Sequence, residues 1–267
     1  MSVILFTGCD VFATDTPQNT FNPDGEVAST QRDLFLMSMW PALVIMIGVL
    51  GAVVVIMLRF RRRSDDEMPV QTHGNTPLEL GWTIAPAILL AILAIPMMIA
   101  LFDIGREPAD DAFVVNVEGQ RFNWFFTYPD VLDEDGKPVV KVGELFVPVG
   151  REIAINLTSR DVIHSFAIPR IAGTRDAIPS IDADKDGTRD HVETMWIKVD
   201  EPRSYYADDT HSLYYQGQCR ELCGADHANM KIQLYAMDQA DFEKWRQEVG
   251  QAASNDPASD HQVRSGD

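Results

Sequence analysis

The sequence predicts a membrane α plus all-β protein: a pair of transmembrane helices followed by an outer domain built as a β-sandwich or barrel. Two charge-free stretches, 34–58 and 80–102, are 25 and 23 residues long, and about 20 apolar residues in a helix cross a bilayer. From residue 103 onward the pattern changes to short runs rich in β-branched and aromatic residues, broken by turn residues. With 46% hydrophobic and 23% charged residues, a disordered chain is excluded.

Residues 1–33 read as a signal-like start and a leader. Met1 to Cys9 is an apolar run ending in small residues, similar to the end of a bacterial lipoprotein signal, which makes Cys9 a candidate for lipidation. The run is shorter than a secretory signal and lacks a basic start, so a mis-assigned start or an idle apolar N-terminus are the alternatives. Residues 10–33 carry Pro, Asn, Asp and Gly without periodicity and read as an extended leader outside the membrane. Residues 34–102 form the hairpin. Its loop opens with Arg59, Arg61, Arg62 and Arg63, whereas the leader carries only Arg32. The positive-inside rule therefore places both termini and the β-domain outside a bacterial cell membrane crossed twice. Trp40 and Trp82 suit the membrane interface or simple packing. Pro41, Pro86 and Pro96 are tolerated where neighbouring helices satisfy the freed carbonyls, which suggests a subunit of a larger complex.

Residues 103–249 form the outer domain, with strands expected at 113–118, 122–128, 153–157, 163–168, 194–199, 213–215 and 231–236. Asp135-Gly136 and Val149-Gly150 mark turns. Asp238 is positioned to cap a short helix to Arg246, and residues 250–267 read as a disordered tail. The net charge is −18, and from residue 103 onward 31 acidic residues face 17 basic ones. A polyanion would be repelled, so nucleic acid is excluded as a partner and a basic protein is favoured.

The chemistry lies in Cys219, Glu221, Cys223, His227 and Met230, with His164 supplied from a strand upstream. Two thiolates, two imidazoles and a thioether are a soft donor set suited to copper. A Cys219–Cys223 disulfide would leave the His and Met spacing unexplained. A Cys2His2 zinc site fits the spacing, but zinc gains little from Met230. A mononuclear blue-copper site needs one thiolate, and here there are two. Two copper ions bridged by both thiolates use every donor.

This motif, Cys-x-Glu-x-Cys-Gly-x-x-His-x-x-Met with an upstream His-Ser-Phe-x-x-Pro, resembles subunit II of haem-copper cytochrome c oxidase and its binuclear copper centre, CuA. The resemblance runs from the leader through both spans to Met230. It implies a cupredoxin-like outer domain in which His164, Cys219, Cys223, His227 and Met230 bind the coppers by side chain and Glu221 by its carbonyl. It also implies that the Glu221 carboxylate reaches a magnesium ion at the boundary with subunit I. Glu79-Leu-Gly-Trp-Thr-Ile-Ala-Pro86 is similar to the family's Glu-x-x-Trp-Thr-x-x-Pro, which makes Glu79 the point of proton uptake; read from the residue alone, it is a solvated charge at a helix end. The implied role is to accept electrons from cytochrome c or another basic carrier and pass them to the haem of subunit I. Oxygen is reduced there to water, with proton translocation. Subunit I and other oxidase subunits are then partners. An acidic surface facing a basic donor raises the encounter rate.

Two departures qualify the resemblance. The family's Gln-Trp-x-Trp is replaced by Arg121-Phe122-Asn123-Trp124, so Phe122 stands where the electron-accepting tryptophan is expected, and Trp124 either substitutes or packs in the core. An acidic insertion, 182–193, matches Asp-x-Asp-x-Asp-Gly-x5-Glu, the spacing of a calcium loop, with Asp182, Asp184, Asp186, Thr188, Asp190 and Glu193 as ligands. Arg189 replaces the usual apolar residue, and a solvated acidic loop is the plain alternative. His73, His191, His211 and His261 read as surface residues. Competing functions are a copper-free quinol oxidase subunit II, a copper sensor or storage protein, and a subunit of a nitrous or nitric oxide reductase. The full donor set and the Glu79 motif favour the cytochrome c oxidase.

Overall fold

Asn75 shows how the second apolar segment becomes a helix. Its side-chain oxygen accepts the Leu78 N–H at 3.2 Å, while the Glu79 carboxylate reaches back to the Asn75 N–H at 3.0 Å, a reciprocal cap that satisfies two otherwise orphaned donors. The computed structural model describes residues 16–61, 73–179, 191–203 and 214–252. In it, helix α1 spans Glu26–Arg59 and helix α2 spans Thr76–Ile104. Both run unbroken through Pro41, Pro86 and Pro96. Their apolar side chains are almost wholly exposed, which is stable in lipid and costly in water. Helix α1 begins eight residues before the span expected at Leu34, because the last leader residues are helical too. Of the basic loop only Arg59 and Arg61 are described; Arg62 and Arg63 lie outside the described residues, as does Cys9.

The outer domain is a two-sheet β-sandwich. Its strands are β1 (Phe113–Gln120), β2 (Asn123–Leu132), β3 (Pro138–Val142), β4 (Glu144–Pro148), β5 (Glu152–Ser159), β6 (His164–Ile168), β7 (Ala172–Ala177), β8 (Glu193–Lys198), β9 (Tyr215–Cys219) and β10 (Lys231–Met237). One sheet has the order β3-β2-β1-β5-β8 and the other β4-β10-β9-β6-β7. β1 with β5 and β10 with β4 are parallel, and the remaining pairs are antiparallel. Alternation drives the packing: Phe113, Val115 and Val117 of β1 and Trp124, Phe126 and Tyr128 of β2 point into the core, with polar residues such as Asn116 and Glu118 outward. The chain crosses between sheets at Gly143, whose φ of 76° suits glycine. Its N–H donates to Trp124 in one sheet and its carbonyl accepts from Gln233 in the other.

Three strands escaped the sequence pattern. β3 and β4 are five residues each, flanking that glycine, and the β7 sequence Ala-Gly-Thr-Arg-Asp-Ala is a polar sheet edge. Of the run expected at 213–215, Leu213 lies outside the described residues, Tyr214 precedes the strand and Tyr215 begins β9, which extends through Gln216-Gly-Gln to Cys219. Helix α3 (Gln239–Ala252) follows, capped by Asp238, which accepts the Asp241 N–H at 2.8 Å. It reaches past the boundary expected at residue 249, because Phe242, Trp245 and Val249 are buried on the sandwich. Trp245 stacks on Phe146 at 4.9 Å. Residues 253–267 of the expected tail lie outside the described residues.

Tyr128, fully buried, accepts the Phe146 N–H at 2.7 Å and so joins β2 of one sheet to β4 of the other. Burial holds its phenol well above its ordinary range. Tyr128→Phe leaves that N–H unpaired. The expected outcome is a loss of about 1–3 kcal/mol, measured by chemical denaturation of the full chain in detergent with tryptophan fluorescence.

Candidate metal centre

The donors converge because two strands and one loop end at the same place. Cys219 closes β9, where it pairs with Phe166 of β6, two residues from His164. Its N–H donates to the Met230 carbonyl at 2.9 Å, and the next N–H, of Arg220, donates to the Ser165 carbonyl at 2.9 Å. The intervening loop carries Cys223 and Gly224, and a short 3-10 turn, His227–Asn229, returns the chain to Met230 and β10.

Neither Cys219 nor Cys223 is disulfide-bonded, and both are buried. The ligand atoms of His164, Cys219 and Cys223 all lie within 4.8 Å of one another. Cys219 Sγ is 3.8 Å from His164 Nδ1 and 3.3 Å from the Glu221 carbonyl oxygen. Cys223 Sγ is 3.5 Å from His227 Nδ1 and 3.8 Å from Met230 Sδ. Metal–sulfur bonds near 2.3 Å and metal–nitrogen bonds near 2.0 Å at a tetrahedral angle place S and N about 3.5 Å apart. Each thiol therefore stands from its own imidazole at the separation expected of two ligands on one ion. The six candidate ligands are brought together, and among them His164, Cys219 and Cys223 form one group close enough to share a metal ion. The soft donors suit copper.

Asp161, which the sequence pattern does not single out, holds a candidate ligand in place. Its carboxylate meets His164 Nε2 at 2.8 Å and accepts both the backbone N–H and the Nε–H of Arg121 at 2.9 Å. The contact turns His164 so that Nδ1 faces Cys219. A partly buried carboxylate is disfavoured by its desolvation, yet the hydrogen bonds from Arg121, His164 and Val162 hold Asp161 well below the usual carboxylate range. The available signal was an Asp three residues before the ligand histidine. Burial likewise raises the Cys219 thiol, but the adjacent His164 together with hydrogen bonds to the backbone at Ser165 and Glu221 outweighs it and brings the group down to about 7. Burial, and then the charge of Cys219, push Cys223 up to about 11.

Trp124 is fully buried and meets His164 edge-on at 5.9 Å between centroids and Phe166 at 5.6 Å. Phe122 is half-buried over Gly224; a Cβ there would meet its ring at 3.0 Å, so the glycine lets the aromatic close over the loop. Glu221, Leu222 and Asp226 are exposed, and His227 is half-buried. Glu79 caps α2, remote in sequence from the copper ligands. Asp182, Asp184, Asp186, Thr188 and Asp190 lie outside the described residues. Glu193 begins β8, its carboxylate 3.4 Å from Arg175 and 2.9 Å from His191.

Residues 23–99 match the cytochrome C oxidase subunit II transmembrane domain, and residues 114–237 match the cytochrome C oxidase subunit II periplasmic domain. The chain belongs to the cytochrome c oxidase subunit II family. A cytochrome c oxidase subunit 2 of Alkalihalophilus pseudofirmus is 32% identical over 91% of this chain and 64% of its own length. The chain thus spans a little under two thirds of that relative. A quinol oxidase subunit 2 of Bacillus anthracis is 27% identical over 95% of this chain and 79% of its own. The solved periplasmic domain of subunit II of cytochrome oxidase from Bradyrhizobium japonicum is 28% identical, covers 54% of this chain and 96% of that chain, and has a TM-score of 0.40. As a subunit II chain this is a membrane protein with an extracytoplasmic β-domain, whose candidate metal site includes His164, Cys219 and Cys223.

Carboxylates that orient a ligand histidine typically carry 10–100-fold in metal affinity. Asp161→Asn is expected to weaken copper binding by about that factor while leaving the far-ultraviolet circular dichroism unchanged, as read by competitive copper titration of the metal-free chain.

Proposed function

We propose that this chain is the electron-accepting subunit of a haem-copper oxidase, receiving electrons from cytochrome c or a similar basic carrier and delivering them to the haem of subunit I for reduction of oxygen to water. The observation that carries the reading is the matched pair of thiols, each at ligand distance from its own imidazole. His164, Cys219, Cys223, His227 and Met230 hold copper by side chain, and Glu221 holds it by its carbonyl. Copper held by these residues would supply a one-electron couple. The protein's own part is to keep the donors still. Cys219, Cys223, His164 and Met230 are buried, so water is kept from the sulfurs, and Asp161 fixes the His164 ring.

The half-buried His227 and the exposed Leu222 bring the site to the surface for contact with a donor. The acidic outer domain draws a basic carrier toward it. The exposed Glu221 carboxylate binds magnesium at the boundary with subunit I, and Glu79 marks proton uptake on the inner face of a bacterial membrane, with both termini outside. Phe122, over the loop, takes the place of the electron-accepting tryptophan, while buried Trp124 supports His164. The quinol oxidase relative favours a second reading, a copper-free subunit of a quinol-using oxidase; the complete set of six ligands weighs against it.

Stopped-flow mixing of the reduced carrier with the assembled oxidase tests the proposal. Copper reduction is expected to precede haem reduction and to slow as salt is raised. Cys219→Ser is expected to abolish both phases. Direct haem reduction by quinol in that variant, at the unsubstituted rate, would instead establish the second reading.

A further inference from the structure

The chain enters and leaves the β-domain at two crossings, residues 24–28 and 106–111, and both are fastened to neighbouring residues of β5 and β8. Glu152 and Lys198 are direct cross-strand partners. Glu152 takes both Arg106 guanidinium nitrogens, at 3.0 and 2.7 Å, and the Ala109 N–H at 2.6 Å. Arg106 also lies 4.1 Å over the Trp196 ring. Lys198 binds the Glu26 carboxylate at 3.2 Å.

The leader is held more deeply. Asp24 pairs with buried Arg170 and lies 3.7 Å from Arg203. Its N–H donates to the Arg170 carbonyl at 2.9 Å, and its carbonyl accepts the Asp200 N–H at 2.8 Å. Gly25 bridges Val199, and a Cβ there would stand 2.4 Å from the Ile171 carbonyl oxygen. Arg170 follows the end of β6, and Arg170 and Arg203 both lie against the ring of Tyr215, which begins β9. β6 and β9 are antiparallel, so His164 and Cys219 occupy one end of the strand pair and this cluster the other, about 13 Å away at the rise of a β-strand.

We infer that Glu152, Lys198 and Asp24 are positioning residues that clamp both crossings to the β-domain, Glu152 and Lys198 through β5 and β8 and Asp24 through Arg170 at the end of β6, so that the ligands keep one distance from the membrane-embedded electron acceptor. The inference rests on the proposed electron-transfer role. It is tested in the assembled oxidase with Glu26→Lys, Lys198→Glu and the double exchange, and independently with Gly25→Ala, which changes no charge. In the metal-free, full-length protein, hydrogen exchange at the amides of Asp24, Ala28 and Asp200 is expected to rise in both charge variants and in Gly25→Ala, and to return toward the original in the double exchange. In the loaded complex the copper signal and its reduction by the carrier stay unchanged. Onward transfer to the haem slows by about tenfold, within the range that a displacement of about 1 Å costs a positioned reaction. Raised exchange with an unchanged onward rate would overturn the inference, as would loss of the copper signal in the single variants, which would make these contacts folding contacts alone. An unsubstituted complex without a two-copper signal would instead refute the electron-transfer reading, an outcome visible before any variant is compared.

Discussion

The register of β9 between its two neighbours is the constraint on which the metal centre depends. Cys219 faces Phe166 on β6, while Gln218 faces Lys231 on β10. These pairings place the last residue of β9 beside His164 on one side and Met230 on the other. A slip of one residue would turn Cys219 to the opposite face and separate it from both. The backbone secures this with bonds on each side of the cysteine, from its own N–H to Met230 and from Arg220 N–H to Ser165. Both sheets of the sandwich support that register, since Tyr128 ties β2 to β4 and β4 lies beside β10.

Around this frame, burial and charge divide the work. The sulfurs are shielded, which strengthens every polar interaction near them, while the rim formed by Glu221, Leu222, Asp226 and His227 is open. Asp161 links the two regimes. It is joined to exposed Arg121 on one oxygen and to buried His164 on the other. Surface charge beside Phe122 is thereby connected to the orientation of a ligand, through a carboxylate kept ionised by its partners.

Much of this was legible in the sequence. The two spans stand out by length and lack of charge, and β1, β2, β5, β8 and β10 by alternating apolar residues. The ligands from Cys219 to Met230 form one short motif, and His164, on a predicted strand upstream, supplies the second imidazole. What was not legible depends on partners distant in the chain. Asp24 sits in a Pro- and Asn-rich leader with no local pattern, and its partners Arg170 and Arg203 lie far along the chain. Asp161 was overlooked because a turn aspartate is ordinary until His164 is seen beside it. β7 was missed because a polar edge strand has no buried face to impose alternation on its sequence.

The most direct measurement is the electron paramagnetic resonance spectrum of the copper-loaded protein, paired with metal analysis. The account predicts two coppers per chain, as the paired donors imply, and a seven-line hyperfine pattern from one unpaired electron shared between them. One copper with a four-line pattern, or a colourless protein holding zinc or a Cys219–Cys223 disulfide, would contradict it.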